Sequence, residues 1–170
     1  MEFTFTLKYH LSNSSDDTDA LVERLAEEGC DDALVGIGQT GRLALEFTRE
    51  AASAREAIES ALADVRRALP GARLIEATPD LVGLTDVADI MGVSRQNMRK
   101  LVTNHPSFPT PVHEGSAVIW HLAEVLGWMD GKGTYPVPRV TLDVARVAMR
   151  VNIIKENARI QEGLQFNAPT

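Results

Sequence analysis

Within the first 78 residues the spacing of apolar side chains switches repeatedly between two periods, and this limits the chain to layered helices and strands. Phe3, Phe5, Leu7, Tyr9 and Leu11 alternate with Glu2, Thr4, Thr6, Lys8 and His10. A period of two buries one face of a strand. The next stretch, 12–17, is a polar break rich in N-cap residues, including Asp16 and Asp17. Residues 20–28 follow a helical period, with Leu21, Val22 and Leu25 on one side and Gly29 as the stop. Ala33, Val35 and Ile37, then Leu43, Leu45 and Phe47, predict two more strands around a glycine turn. Residues 53–69 read as a second helix, its stripe made of Ala57, Ile58, Ala61, Leu62, Val65 and Leu69. Pro70 and Gly71 stop it, and residues 73–77 form a short fourth strand ended by Thr78 and Pro79.

The order strand, helix, strand, strand, helix, strand predicts a ferredoxin-like βαββαβ domain over 1–78, an antiparallel sheet with two helices on one face. A boundary is expected across 79–83, and a second unit fills 79–130. Glycines and prolines in 131–138 predict a linker without helix. A long helix is expected over 140–164. Val140, Val144, Val147, Val151, Ile154 and Ala158 give it a heptad-like seam, and Leu142, Ala145, Met149, Ile153 and Ile160 a second strip. Such a helix wants a partner, so the 131–170 segment is expected to dock on the protein or make a homodimer.

Charge is unevenly spread along the chain. The net charge is -7, which by itself argues against a nucleic-acid partner. Residues 1–80 hold 8 Lys and Arg against 16 Asp and Glu, whereas 81–170 hold 9 against 8. Between Ile90 and His113 there is no acid, only Arg95, Arg99, Lys100 and His105. Local charge decides whether a surface can neutralise phosphates. The acidic half should face away from a duplex or bind a protein or small molecule. No run of about 18 apolar residues is present, so no membrane association is expected. The alternating N-terminus is not that of a signal peptide. Cys30 is the only cysteine, and a reduced, cytoplasmic setting is the default expectation.

The acid-free stretch lies in a pattern of its own. Thr85 reads as an N-cap with Asp86 in the first turn. Val87, Ala88, Ile90 and Met91 form an apolar side, and Gly92 permits a tight turn at positive φ. Ser94 caps a second helix over 94–102, with Met98, Leu101 and Val102 on one face. Arg95, Gln96, Asn97, Arg99, Lys100 and Thr103 fall on the other. A helix enters a major groove only with long polar side chains and few acids on its outer face. Arg pairs bidentately with guanine, Gln or Asn with adenine, and Arg99 and Lys100 can hold phosphates. The plain alternative is a helical unit that only packs, with these charges solvated.

The run from Leu84 through Gly92-Val93-Ser94-Arg95-Gln96 to Met98 resembles the helix-turn-helix of MerR-like and excisionase-type regulators. In those families a short wing and another helix follow. Residues 108–120, turning at Glu114-Gly115-Ser116, are similar to that wing, and 121–129 to the closing helix. The resemblance covers about 45 residues and implies a winged helix acting as a dimer, with His113 beside the duplex. Glu114 departs from the pattern, because these families often place Arg or Lys near the wing tip. The expected fold class is therefore α+β: a ferredoxin-like domain, a winged helix-turn-helix and a long C-terminal helix.

Other signals carry less. Gly36-Ile37-Gly38-Gln39-Thr40-Gly41 matches a dinucleotide fingerprint, but the strand pattern after it predicts a hairpin turn instead. Asp16, Asp17 and Asp19 lack the glycine and distal Glu of a calcium loop. His105, His113 and His121 stand eight apart, which is no helical ligand spacing. No metal, cofactor or catalytic constellation is expected. Trp120 and Trp128 read as core. The sequence thus predicts a DNA-binding transcriptional regulator, such as a repressor, with double-stranded DNA and a second copy of the chain as partners. The alternative is an antitoxin-like module whose acidic domain binds a partner protein and whose helix-turn-helix serves autoregulation.

Overall fold

A computed structural model describes residues 1–12 and 17–167, with side chains described up to 163. The expected break at 13–16 lies outside the described residues. The protein is mixed α/β, 50% helix and 23% strand. It divides into two compact units: Met1–Ala77 with the stretch from Arg150 onward, and Thr78–Met149. Among the described residues no helix is long and apolar enough to cross a membrane.

The first unit contains β1 (Glu2–His10), α1 (Thr18–Glu27), β2 (Ala33–Ile37), β3 (Arg42–Glu50), α2 (Ala54–Ala68) and β4 (Arg73–Thr78). Its four-stranded sheet has the order β2-β3-β1-β4. β1 and β3 pair antiparallel, with Phe5 opposite Phe47 and Leu7 opposite Leu45. β2 and β3 also pair antiparallel. The period of two appears directly as burial: Phe3, Phe5, Leu7 and Tyr9 are inside, as are Leu43, Leu45 and Phe47. The Phe5 and Phe47 rings stack with centroids 5.2 Å apart. Each such side chain contributes about 1.5–3 kcal/mol of burial. α2 presents Ala57, Ile58, Ala61 and Val65 as its fully buried stripe. Its N-cap is Ser53, whose Oγ accepts the Glu56 N–H at 3.1 Å. Asp17 caps α1 by accepting from the Asp19 N–H. Residues 38–41 form the hairpin turn between β2 and β3, with Gly36 and Ile37 still paired in β2, Gly41 at φ +80° and a strand following.

One polar group is built into this unit. Arg49 lies across from Phe3 at the end of the β1–β3 ladder and is buried. Its Nε and Nη2 donate to the two Asp32 oxygens at 2.7 and 3.0 Å. Nη1 donates to Asp64 Oδ2 at 2.9 Å and to Ser60 Oγ at 3.1 Å, and Nη2 also donates to the Gly29 carbonyl at 2.7 Å. The guanidinium thus ties the end of α1, the approach to β2 and the body of α2 to one strand.

The second unit contains β5 (Leu81–Val82), α3 (Leu84–Met91), α4 (Arg95–Asn104), β6 (His113–Glu114), β7 (Val118–His121) and α5 (Leu122–Lys132). Its small sheet runs β5-β7-β6, with antiparallel pairing of β5 to β7 and of β6 to β7. Val87, Met98, Trp120, Leu122, Leu126 and Met129 belong to one buried cluster. Asp80, almost wholly buried, meets His121 Nδ1 at 2.7 Å, and its carbonyl accepts the Leu122 N–H. That pair pins β7 and the start of α5 to the segment before β5.

α6 (Arg139–Asn167) contributes to each unit in turn. Leu142 and Ala145 belong to the core of the second unit. In the first unit, the Asn152 side chain pairs with the backbone of Ala77, accepting its N–H at 2.8 Å and donating to its carbonyl at 2.7 Å. Beyond that point Ile153, Ile154 and Ile160 are exposed. Two expectations need correction. α5 continues through Gly131 and Lys132, and Gly133 ends it at φ +70°. A glycine costs only about 1 kcal/mol in a helix, so Gly131 did not stop a helix already held by its buried face. α3 begins at Leu84 with Gly83 as N-cap, so Thr85 lies inside the helix.

Candidate nucleic-acid interface

The geometry of the α3–α4 pair follows from a few local choices. Asp86 Oδ2 accepts the Gly83 N–H at 3.0 Å, satisfying a donor at the start of α3. This reach-back from the third helical residue sets the start two residues earlier than a Thr85 cap would. Gly92 adopts φ +67°, a conformation costly for a side-chain-bearing residue. The Gly92 and Val93 N–H groups return to the Asp89 and Ala88 carbonyls, closing α3. Val93 packs against the buried cluster. Ser94 Oγ then accepts the Asn97 N–H at 3.1 Å and starts α4. Met98 is wholly buried, and Leu101 and Val102 pack on the same cluster.

With that face fixed inward, the opposite face is fixed outward. Arg95, Gln96, Asn97, Arg99, Lys100 and Thr103 are all exposed. Arg95, Arg99 and Lys100 make no ion pair among the described residues. Thr103 is less available, because its hydroxyl donates to the Arg99 carbonyl at 2.9 Å. Ser94 is exposed but serves as the cap. Thr85 is exposed on α3 rather than on α4, and His113 lies on β6. α4 therefore gathers six of the nine residues singled out in the sequence and Ser94 caps it, whereas Thr85 and His113 belong to other elements of the same unit.

β6 and β7 form a short hairpin, closed where the Gly115 N–H donates to the Ala117 carbonyl at 3.1 Å. Glu114 and Ser116 are exposed there. A Cβ on Gly115 would stand 2.7 Å from His113 Nε2, so the absent side chain is what lets the imidazole lie across the turn. The tryptophans are structural. Trp120, on β7, is buried and donates from Nε1 to the Pro109 carbonyl at 3.0 Å. Trp128 donates to Ser107 Oγ and meets Phe108 edge-on at 5.0 Å.

Sequence reasoning missed the Arg49 network, the Asp80–His121 pair and a cluster of basic side chains in the first unit. All three join residues distant in the chain, and no local spacing announces them. Comparison with family models, with characterised proteins and with solved structures finds no match.

Proposed function

We propose that this protein is a sequence-specific double-stranded-DNA-binding transcriptional regulator that lays α4 in the major groove. The observation that carries the reading is the outward face of α4: three cations without ion pairs, two amides and no acid, on a helix anchored by Met98. Cations not already paired are free to take phosphates. Arg95, Gln96 and Asn97, in the first turn, read base edges, and Arg99 and Lys100 hold the backbone. Ser94 satisfies one first-turn donor, which leaves the Arg95 and Gln96 N–H groups for a phosphate.

The resemblance to MerR-like and excisionase-type regulators agrees with this assignment. The β5-β7-β6 sheet beside α3, α4 and α5 supports a winged helix-turn-helix in the second unit. The strand order β2-β3-β1-β4 with its interleaved helices supports a ferredoxin-like first unit. Ile153, Ile154 and Ile160, exposed along α6, support pairing with a second copy of the chain. A twofold dimer would read half-sites about 34 Å apart or a multiple of that.

The test is selection of duplexes from a random pool, followed by footprinting of the enriched sequence. The expected result is one protected site with two related halves. Absence of enrichment and of protection at low salt would sink the proposal.

A further inference from the structure

The first unit holds a basic feature that DNA binding by α4 leaves unused. A cleft of about 420 Å³ lies among the end of β1, the starts of β3 and β4, and the later part of α6. His10, Arg42, Arg73, Lys155 and Arg159 line it, with Glu162 as the carboxylate in the lining. This gathering runs against the composition, since residues 1–80 carry twice as many acids as bases. Cations gathered at one place repel one another, and an anion bound among them relieves that repulsion.

The present partners of these cations offset them only in part. His10 and Arg42 make no ion pair among the described residues. Arg73 meets Glu162 at 3.3 Å, and Arg159 meets Glu156 at 3.4 Å, both between exposed side chains. Exposed pairs of this kind contribute little and exchange readily for a better acceptor. Lys155 is different. It is only 22% exposed, and its Nζ donates to the Ile75 carbonyl at 2.5 Å as well as to Glu156. Its charge is therefore held at the wall. Four permanent cations against Glu156 and Glu162 leave room for two further negative charges.

The neighbourhood also says what should be attached to that charge. A second cleft of about 640 Å³ shares Arg42 and Ile75 with the first and runs over Gly36, Ile37 and Ala44. Its lining is largely apolar. Both volumes are in the range of small-molecule sites. Glu76 lines the second cleft and Glu162 the first, which disfavours a long polyanion passing through.

We propose that the first unit binds a small organic molecule with a doubly charged oxyanion head such as a phosphate. The head sits among Arg42, Arg73, Lys155 and Arg159, and the apolar body lies along the adjoining cleft over Ile37, Ala44 and Ile75. Guanidinium groups suit this role because their paired donors match an oxyanion's geometry. The site stands whether or not α4 binds DNA.

The experiment uses the full chain without DNA, titrated with inorganic phosphate, 1-naphthyl phosphate and neutral 1-naphthol. Binding is followed by calorimetry and by amide shifts. Both anions should shift the amides of His10, Arg42, Ile75 and Lys155, naphthyl phosphate should bind about tenfold more tightly than phosphate, and naphthol should not bind. R42Q and R159Q should each weaken naphthyl phosphate about tenfold, whereas R55Q, in an exposed pair on α2, should leave it unchanged. An unaltered circular dichroism spectrum shows that a variant is folded. The proposal is overturned by absence of shifts at these residues up to about 10 mM anion. It is equally overturned by shifts confined to α4, or by undiminished binding in both R42Q and R159Q.

Discussion

Arg49 in the first unit and Arg95 in the second are the same side chain in opposite situations. Arg49 is buried, and all of its donor nitrogens are engaged, by Asp32, Asp64, Ser60 and the Gly29 carbonyl. These bonds to Asp32 and Asp64 hold its pKa even above the usual arginine range. Arg95 is exposed at the start of α4 and makes no ion pair among the described residues. A cation whose donors are all used inside the fold can hold elements together but has nothing to offer a ligand. A cation left open contributes little to folding and keeps its donors for a phosphate or a base. Structural charge is thus distinct from charge available for binding, a difference that the net charge of the chain conceals.

Removing each arginine should affect stability very differently. Arg49→Met leaves Asp32 and Asp64 without their shared counter-ion, and urea unfolding should show a loss of about 3 kcal/mol. Arg95→Ala should change stability by less than about 0.5 kcal/mol. Equal losses would show that the two arginines do not differ in kind. The next effect is on DNA. Arg95→Ala should cost about 1–3 kcal/mol in affinity for the selected site and relax specificity at one base position. A loss that is uniform across sequences would move Arg95 into the phosphate-holding group with Arg99 and Lys100.

The smallest effect concerns Cys30, which lies against the Arg49 network. Burial, reinforced by Asp64 and only partly offset by Arg49, pushes its thiol up to about 11. An unfolded cysteine ionises near pH ~8.5, so across that interval the folded chain keeps a proton the unfolded chain has released. Stability from this group is complete below about pH 8.5 and falls as pH rises towards 11. Thermal unfolding at pH 8 and 10 should therefore fall more steeply for the native chain than for Cys30→Ala, by on the order of 1 kcal/mol. Parallel slopes would show that the thiol is not held protonated.

Legibility in the sequence followed the range of the interactions. The β1 and β3 alternation, the glycine hairpin turn ending at Gly41 and the Gly92-Val93-Ser94 turn are set by neighbours a few residues apart, and each was readable. The start of α3 was misread because Thr85 looks like a cap, whereas the stabilising acceptor is the Asp86 side chain reaching back to Gly83. Gly131 was read as a break because its propensity is poor. The buried side chains of α5, Leu126 and Met129 among them, carry the helix past it. The basic cleft was not readable, because His10, Arg42, Arg73, Lys155 and Arg159 are spread over most of the chain.

Apart from the start of α3 and the end of α5, the sequence by its periodicity, caps and turn residues located the main helices and strands and the apolar face of each, because those depend on positions a few residues apart. It also determined the outward set on α4, since burying Met98 leaves Arg95, Gln96, Asn97, Arg99 and Lys100 no other side. Which charges are used up and which remain open was settled by folding in three dimensions. Arg49 is closed off by aspartates 17 residues before it and 15 after, and Lys155 is held by a carbonyl 80 residues away. Charge–charge and hydrogen-bond energies depend on distance in space, and chain folding sets that distance without leaving a mark on local spacing.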